Sequence, residues 1–266
     1  MNKNDRLPRS PRAIRRPWGS TCVRRIRRAV VLALIPFAVE AGEPEPIGIL
    51  WAGDSLMVQL SKAADRALGS SREFRTASLL SIGTGLARPD VFDWNAELSR
   101  AVDRQRPSQV VLLLGANDHQ SLRAGSDVLR TGTEAWTREY RRRVSSILEY
   151  LQSLSITQVY WIGLPPMRDA ELNRHIDTVN EIVRSVCLEN RQATYIDSAE
   201  VLSIRPGRFS AFILKPDDAL PLTVRSGDGI HLNDVGGNLL LNRILDKIRE
   251  DLKAKSGRTP TPSNEP

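Results

Sequence analysis

Three short segments of this chain carry side chains able to activate a hydroxyl and steady the charge it generates. They are Gly53-Asp54-Ser55-Leu56, Gly115-Ala116-Asn117-Asp118 and Asp228-Gly229-Ile230-His231. Asp228 stands three residues ahead of His231, close enough to fold back onto Nδ1. That contact fixes the tautomer and leaves Nε2 free to accept a serine proton. Ser55 follows an apolar run and opens a helix, whose amide end favours a developing anion. The Asn117 amide donates hydrogen bonds without a titrating charge, which suits an oxyanion. Each segment also has a plainer reading. Asp54 or Ser55 can cap a helix, Asn117 can make an Asx turn at a strand end, and Asp228 can cap the last helix beside a surface histidine.

The elements that must position these residues alternate between strand and helix, the pattern of βαβ units and a mainly parallel sheet. Residues 47–51 read as the first strand, 57–68 as its helix and 74–80 as a second strand. A helix over 96–103 leads to a continuous apolar strand over 109–114, as expected where both sheet faces are covered. Over 133–153, Trp136, Tyr140, Val144, Ile147, Leu148 and Leu151 recur at helical spacing, and Thr131 with Glu134 offers a capping box. Strand 159–163, helix 171–188 and strand 194–197 follow. Residues 201–226 read as irregular and 233–253 as the final helix. Ser55 and Asn117 therefore stand at the carboxyl ends of strands, where open parallel sheets bind ligands.

The chain has 266 residues and a formal charge of +7, with 41% hydrophobic and 26% charged residues, which is ordinary for a globular domain. The charge is unevenly placed. Residues 1–28 hold ten Lys/Arg and one Asp, leaving 28 basic and 30 acidic residues in the remainder. Without basic residues clustered on the folded body, nucleic-acid binding is not expected. The basic segment runs into an 11-residue apolar stretch over 29–39 and then Val39-Glu40-Ala41-Gly42. This predicts a signal peptide or N-terminal anchor over 1–41, with the apolar run short for a bilayer span. Residues 42–46 read as a linker, 47–253 as one domain and 254–266 as a disordered tail. Cys22 falls in the leader, so no internal disulfide is expected, and Cys187 on an apolar helix face reads as core. No Cys/His spacing suggests a metal site.

The order of Gly53-Asp54-Ser55, Ser81-Ile82-Gly83-Thr84-Gly85-Leu86, Gly115-Ala116-Asn117-Asp118 and Asp228-Gly229-Ile230-His231 resembles the four blocks of the SGNH (GDSL-like) hydrolase superfamily. The Thr84-Gly85-Leu86-Ala87-Arg88-Pro89-Asp90 stretch and Gly163-Leu164-Pro165-Pro166-Met167-Arg168 are similar to segments of a little-characterised exported branch. The resemblance implies a single-domain, three-layer α/β/α flavodoxin-like fold with about five parallel strands, and ester chemistry without a cofactor. It also implies Ser55 as nucleophile, Asp228 and His231 as relay, and an oxyanion hole of the Ser55 amide, the Gly85 amide and Asn117. Gly83 is the alternative to Gly85.

Asp54, Arg88 and Arg168 are the expected substrate contacts, the two arginines as partners for an anionic group or as members of structural ion pairs. His119 reads as a loop residue beside the third block, and His175 as solvent-facing. A leader without a lipobox favours small-acyl or O-acetyl esters of an envelope glycan as substrate, in a periplasmic or otherwise exported setting. Acyl transfer to a glycan, lipid ester or thioester hydrolysis beneath a lid at 201–226, and a non-catalytic binding role are the competing classes.

Overall fold

The apolar runs become strands and the amphipathic stretches become the helices that cover them. The structure is a computed structural model that describes residues 45–205, 207–214 and 220–257. β1 (Ile47–Gly53), α1 (Met57–Leu68), β2 (Phe74–Leu80), α2 (Trp94–Gln105) and β3 (Gln109–Leu113) form the first half. A small hairpin of β4 (Leu122–Ala124) and β5 (Asp127–Leu129) precedes α3 (Glu134–Ser153), β6 (Gln158–Ile162), α4 (Ala170–Glu189) and β7 (Ala193–Ile196). The chain then passes through α5 (Ala199–Leu202) and a second hairpin, β8 (Phe212–Ile213) and β9 (Leu222–Thr223), to α6 (Asp234–Ser256).

The main sheet has the order β2-β1-β3-β6-β7 with every pair parallel. Right-handed crossovers place α1 on one face and α2, α3 and α4 on the other. α6 packs with α1, and α3 packs with both α2 and α4, which completes three layers. This is the flavodoxin-like arrangement. β3 and β6 are buried along their whole length because both of their faces meet helices. Trp51, Trp161, Trp136 and Tyr140 fill the core without exposure.

Helix α3 buries the stripe the periodicity predicts, Trp136, Tyr140, Val144, Ile147, Leu148 and Leu151. Each buried aliphatic side chain of that stripe contributes roughly 1.5–3 kcal/mol. Its cap differs from the expected one: the Thr133 side chain, not Thr131, accepts from the Trp136 amide. The side chain of Asn233 caps α6 by accepting from the Gly236 amide, and its Nδ2 donates to the Thr223 carbonyl. This ties the end of the 228–231 segment to β9. α6 runs to Ser256, three residues beyond the expected domain end. The segment expected to be irregular, 201–226, contains the end of α5 together with β8 and β9. The expected leader at 1–41 and the last residues of the expected tail lie outside the described residues.

Candidate active site

β1 and β3 are neighbours, and the chain leaves them in opposite directions, β1 toward β2 and β3 toward β6. Such a switch point opens a crevice at the carboxyl ends of the two strands. Ser55 lies two residues past β1 and Asn117 four past β3. The two loops are drawn tightly together. A Cβ on Gly53 would stand 2.3 Å from the Leu113 carbonyl oxygen, so only glycine fits there. The Asp54 amide donates to that carbonyl at 3.3 Å.

The segment before α6 reaches the same crevice. His231 Nε2 lies 2.9 Å from Ser55 Oγ, and His231 Nδ1 lies 2.7 Å from Asp228 Oδ2. The second Asp228 oxygen accepts from the Ile230 and His231 amides at 2.8 and 3.0 Å. Partial burial pushes the Asp228 carboxyl up. The hydrogen bonds from the imidazole and the two amides outweigh this and hold it at about 2. Asp228 is therefore a carboxylate at any working pH. It requires a proton on His231 Nδ1 and leaves Nε2 as the acceptor facing Ser55.

The other wall of the crevice is built by two loops. Asn117 Nδ2 donates to the Thr84 carbonyl at 3.0 Å and to Asp54 Oδ2 at 3.3 Å. The Asp118 carboxylate accepts from the Leu86 and Ala87 amides at 2.9 and 2.7 Å and from the Tyr140 hydroxyl at 2.8 Å. Gly85 sits against that carboxylate, where a Cβ would lie 2.1 Å from Asp118 Oδ1. Its amide, like that of Ser55, has no hydrogen-bond partner among the described residues. Gly83 is exposed, at φ +74, with open space around it. Of the two glycines, Gly85 is the one packed into the site. Hydroxyl, imidazole, carboxylate, two unpaired amides and a carboxamide thus share one crevice, the set needed for acyl transfer through a serine.

A family model described as "Protein of unknown function (DUF459)" matches residues 48–247. The chain belongs to the DUF459 family. This family is SGNH-like, and the fold agrees. A Streptococcus pneumoniae structure, described as a candidate platelet activating factor, aligns at 17% identity. The alignment has TM-score 0.52 and covers 79% of this chain and 86% of that one. The Clostridium thermocellum family 3 carbohydrate esterase aligns at 12% identity with TM-score 0.50, covering 79% of this chain and 98% of that one. A comparison with curated proteins finds no match.

Three expected substrate contacts in this DUF459 chain are otherwise engaged. Asp54 is fully buried, so its carboxyl faces the interior rather than a substrate. It accepts from the Leu56 amide at 2.9 Å, and burial pushes it up to about 7 against that bond. Arg88 makes a two-pronged exposed ion pair with Asp90, at 2.8 and 2.7 Å. Arg168 braces the 228–231 segment, its amide donating to the Gly229 carbonyl and its Nη1 to the Gly227 carbonyl. His175, expected in solvent, is buried, and burial pushes its imidazole down to about 4. The signal was present, because His175 falls on the stripe of Leu172, Ile176 and Val179. Cys187 is core as expected, and burial pushes its thiol up to about 12.

Sequence reasoning missed Arg225. It is 3% exposed, and its guanidinium donates to the Pro166 and Ile230 carbonyls at 2.8 and 2.7 Å. It therefore staples the 225–232 segment to the loop after β6. Burial lowers its pKa to about 10. Two cavities flank the site. One of about 540 Å³ touches Gly85 and Leu86 and runs over Phe92 and Trp94. The other, of about 720 Å³, lies between His119, the start of α4 and Ile230. Among the described residues no group of three or more His, Cys, Asp or Glu is placed to hold a metal ion, and no helix is long and apolar enough to cross a membrane.

Proposed function

We propose that this protein is an exported serine esterase that removes small acyl groups, such as acetyl, from envelope glycans. One observation carries the reading: the continuous hydrogen-bonded line from Ser55 Oγ through His231 to Asp228, joining residues 176 positions apart. A surface histidine capped by a neighbouring aspartate has no reason to aim its second nitrogen at a serine at the switch point. The basic and apolar leader supports export.

In the proposed reaction His231 Nε2 takes the Ser55 proton as Oγ attacks the ester carbonyl carbon. The carbonyl π pair moves onto oxygen, where the Ser55 and Gly85 amides and Asn117 Nδ2 hold it. For this the Asn117 amide turns a hydrogen from its long 3.3 Å contact with Asp54 toward the oxyanion. Each such donor typically lowers the barrier by about 3 kcal/mol. Collapse expels the alcohol oxygen, which takes the proton from His231 Nε2, and leaves the acyl group on Ser55. Water then attacks the acyl carbon as His231 removes its proton. The second collapse releases the carboxylic acid and returns the proton to Ser55 Oγ.

Purified protein assayed on p-nitrophenyl acetate and p-nitrophenyl octanoate tests this. Turnover of the short ester that vanishes in Ser55→Ala, with unchanged thermal melting, is the expected result. Full turnover by Ser55→Ala ends the assignment. Preference for the long ester overturns the small-acyl part alone.

A further inference from the structure

The reaction leaves the alcohol of the ester on a definite side of the site. His231 Nε2 must deliver its proton to the departing oxygen, so the alcohol lies along the His231 flank. The cavity of about 720 Å³ opens on that flank, with Ile230, the neighbour of the base, in its wall. His119, two residues past Asn117, forms the facing wall. The volume falls within the roughly 300–1,000 Å³ of ordinary small-molecule sites.

The chemistry of the walls selects the occupant. His119 Nδ1 lies 3.2 Å from the Ala116 carbonyl oxygen, which can only accept. Nδ1 therefore carries the hydrogen, and Nε2 of the neutral ring is left as an acceptor. Glu171 and Arg174, on the first turns of α4, line the same space and have no ion-pair partner among the described residues. Thr131 adds a hydroxyl, while Leu172 and Ile230 supply apolar surface. An acyl chain there would strip water from a carboxylate and a guanidinium without replacing their hydrogen bonds, which costs free energy. An anionic group would meet the carboxylates of Asp169 and Glu171 against the single guanidinium of Arg174. A neutral ring bearing several hydroxyls satisfies donors and acceptors together and lays its C–H face on Leu172 and Ile230.

We infer that this cavity is the alcohol subsite and that it binds the sugar ring of an O-acylated carbohydrate, with His119 Nε2 accepting from a ring hydroxyl. The inference rests on the serine-esterase reading and assigns the substrate's carbohydrate part to a set of residues that reading does not use.

Steady-state kinetics of the full chain test it. The substrates are mono-O-acetylated methyl glucoside, methyl xyloside and N-acetylglucosamine, with p-nitrophenyl acetate and p-nitrophenyl octanoate as references. His119→Ala removes the acceptor, and Thr131→Trp, at an exposed position, fills the mouth of the cavity. For the best sugar ester, kcat/KM relative to p-nitrophenyl acetate is expected to fall at least tenfold in both variants, mainly through KM. An unchanged ratio in both variants, with wild-type melting, overturns the inference. So does a loss that follows acyl length on the nitrophenyl esters, which assigns the cavity to the acyl chain. Turnover of nitrophenyl acetate with no sugar ester hydrolysed by wild type overturns it too. Failure of the underlying reading has a different signature, nitrophenyl acetate turnover that survives Ser55→Ala.

Discussion

Asp118 ends one motif and Asp228 opens another on opposite walls of one crevice, and they hold their surroundings in contrasting ways. Asp118 has no exposure and takes hydrogen bonds from two amides and a buried phenol, so it locks the Gly85 loop onto the loop after β3. Burial pushes its carboxyl upward. Asp228 has a side chain 45% exposed, is held at about 2, and touches little beyond its own tight turn and His231. The Gly85 wall is thus anchored in the core, whereas the His231 wall is built from a local turn braced by Arg225 and Arg168. In the proposed reaction the first wall presents fixed amides and the second passes a proton, which places different demands on the same side-chain type.

The sharpest way to break this contrast is to neutralise each aspartate. Asp228→Asn is expected to lower kcat on p-nitrophenyl acetate on the order of 10³–10⁴-fold, through the wrong imidazole tautomer, while the melting temperature barely moves. Asp118→Ala is expected to lose about 3 kcal/mol or more in urea unfolding, since two buried amides and the Tyr140 hydroxyl lose their acceptor. A variant of either kind that reversed this pattern, stable at 118 or unfolded at 228, would dissolve the contrast.

Asp54 sharpens the comparison through pH. The folded chain keeps the Asp54 proton up to about 7, while the unfolded chain gives it up near 3.8. Between these values the unfolded state holds fewer protons, so this group makes stability fall as pH rises through that window. Urea midpoints of wild type are expected to decline relative to Asp54→Asn between pH 4.5 and 7, and then to run parallel. A constant difference across the window would mean that Asp54 ionises normally. The smallest effect is expected at Arg88, whose exposed pair with Asp90 lies outside both walls. Arg88→Ala should leave the urea midpoint and nitrophenyl acetate kinetics within error of wild type.

The layered fold was legible because its strands are continuous apolar runs and its helices carry clean stripes. The phrase 109–114 could hardly be anything but a buried strand. Ser55 and Asn117 were legible because glycine-bearing motifs sit at strand ends, where the sheet alone decides which edge they share, and His231 because Asp228 stands three residues before it. Asp54, Asp118 and Arg225 were not legible as interior residues. The partners of Asp118 lie 31 and 32 residues before it and 22 after it, and nothing local tells a buried aspartate from a capping one. Arg225 stands in a segment without periodicity, and its acceptors are backbone carbonyls, which leave no mark in sequence. The β4–β5 hairpin escaped notice because three-residue strands are too short to show alternation.

The central claim is that Ser55 is the nucleophile raised by His231. Incubation with a fluorophosphonate, followed by intact-mass measurement and peptide mapping, tests it most directly. The account predicts a single adduct on Ser55, absent in Ser55→Ala and formed far more slowly in His231→Ala. An unlabelled Ser55 in protein that still hydrolyses p-nitrophenyl acetate, or an adduct mapped to another residue, would contradict it.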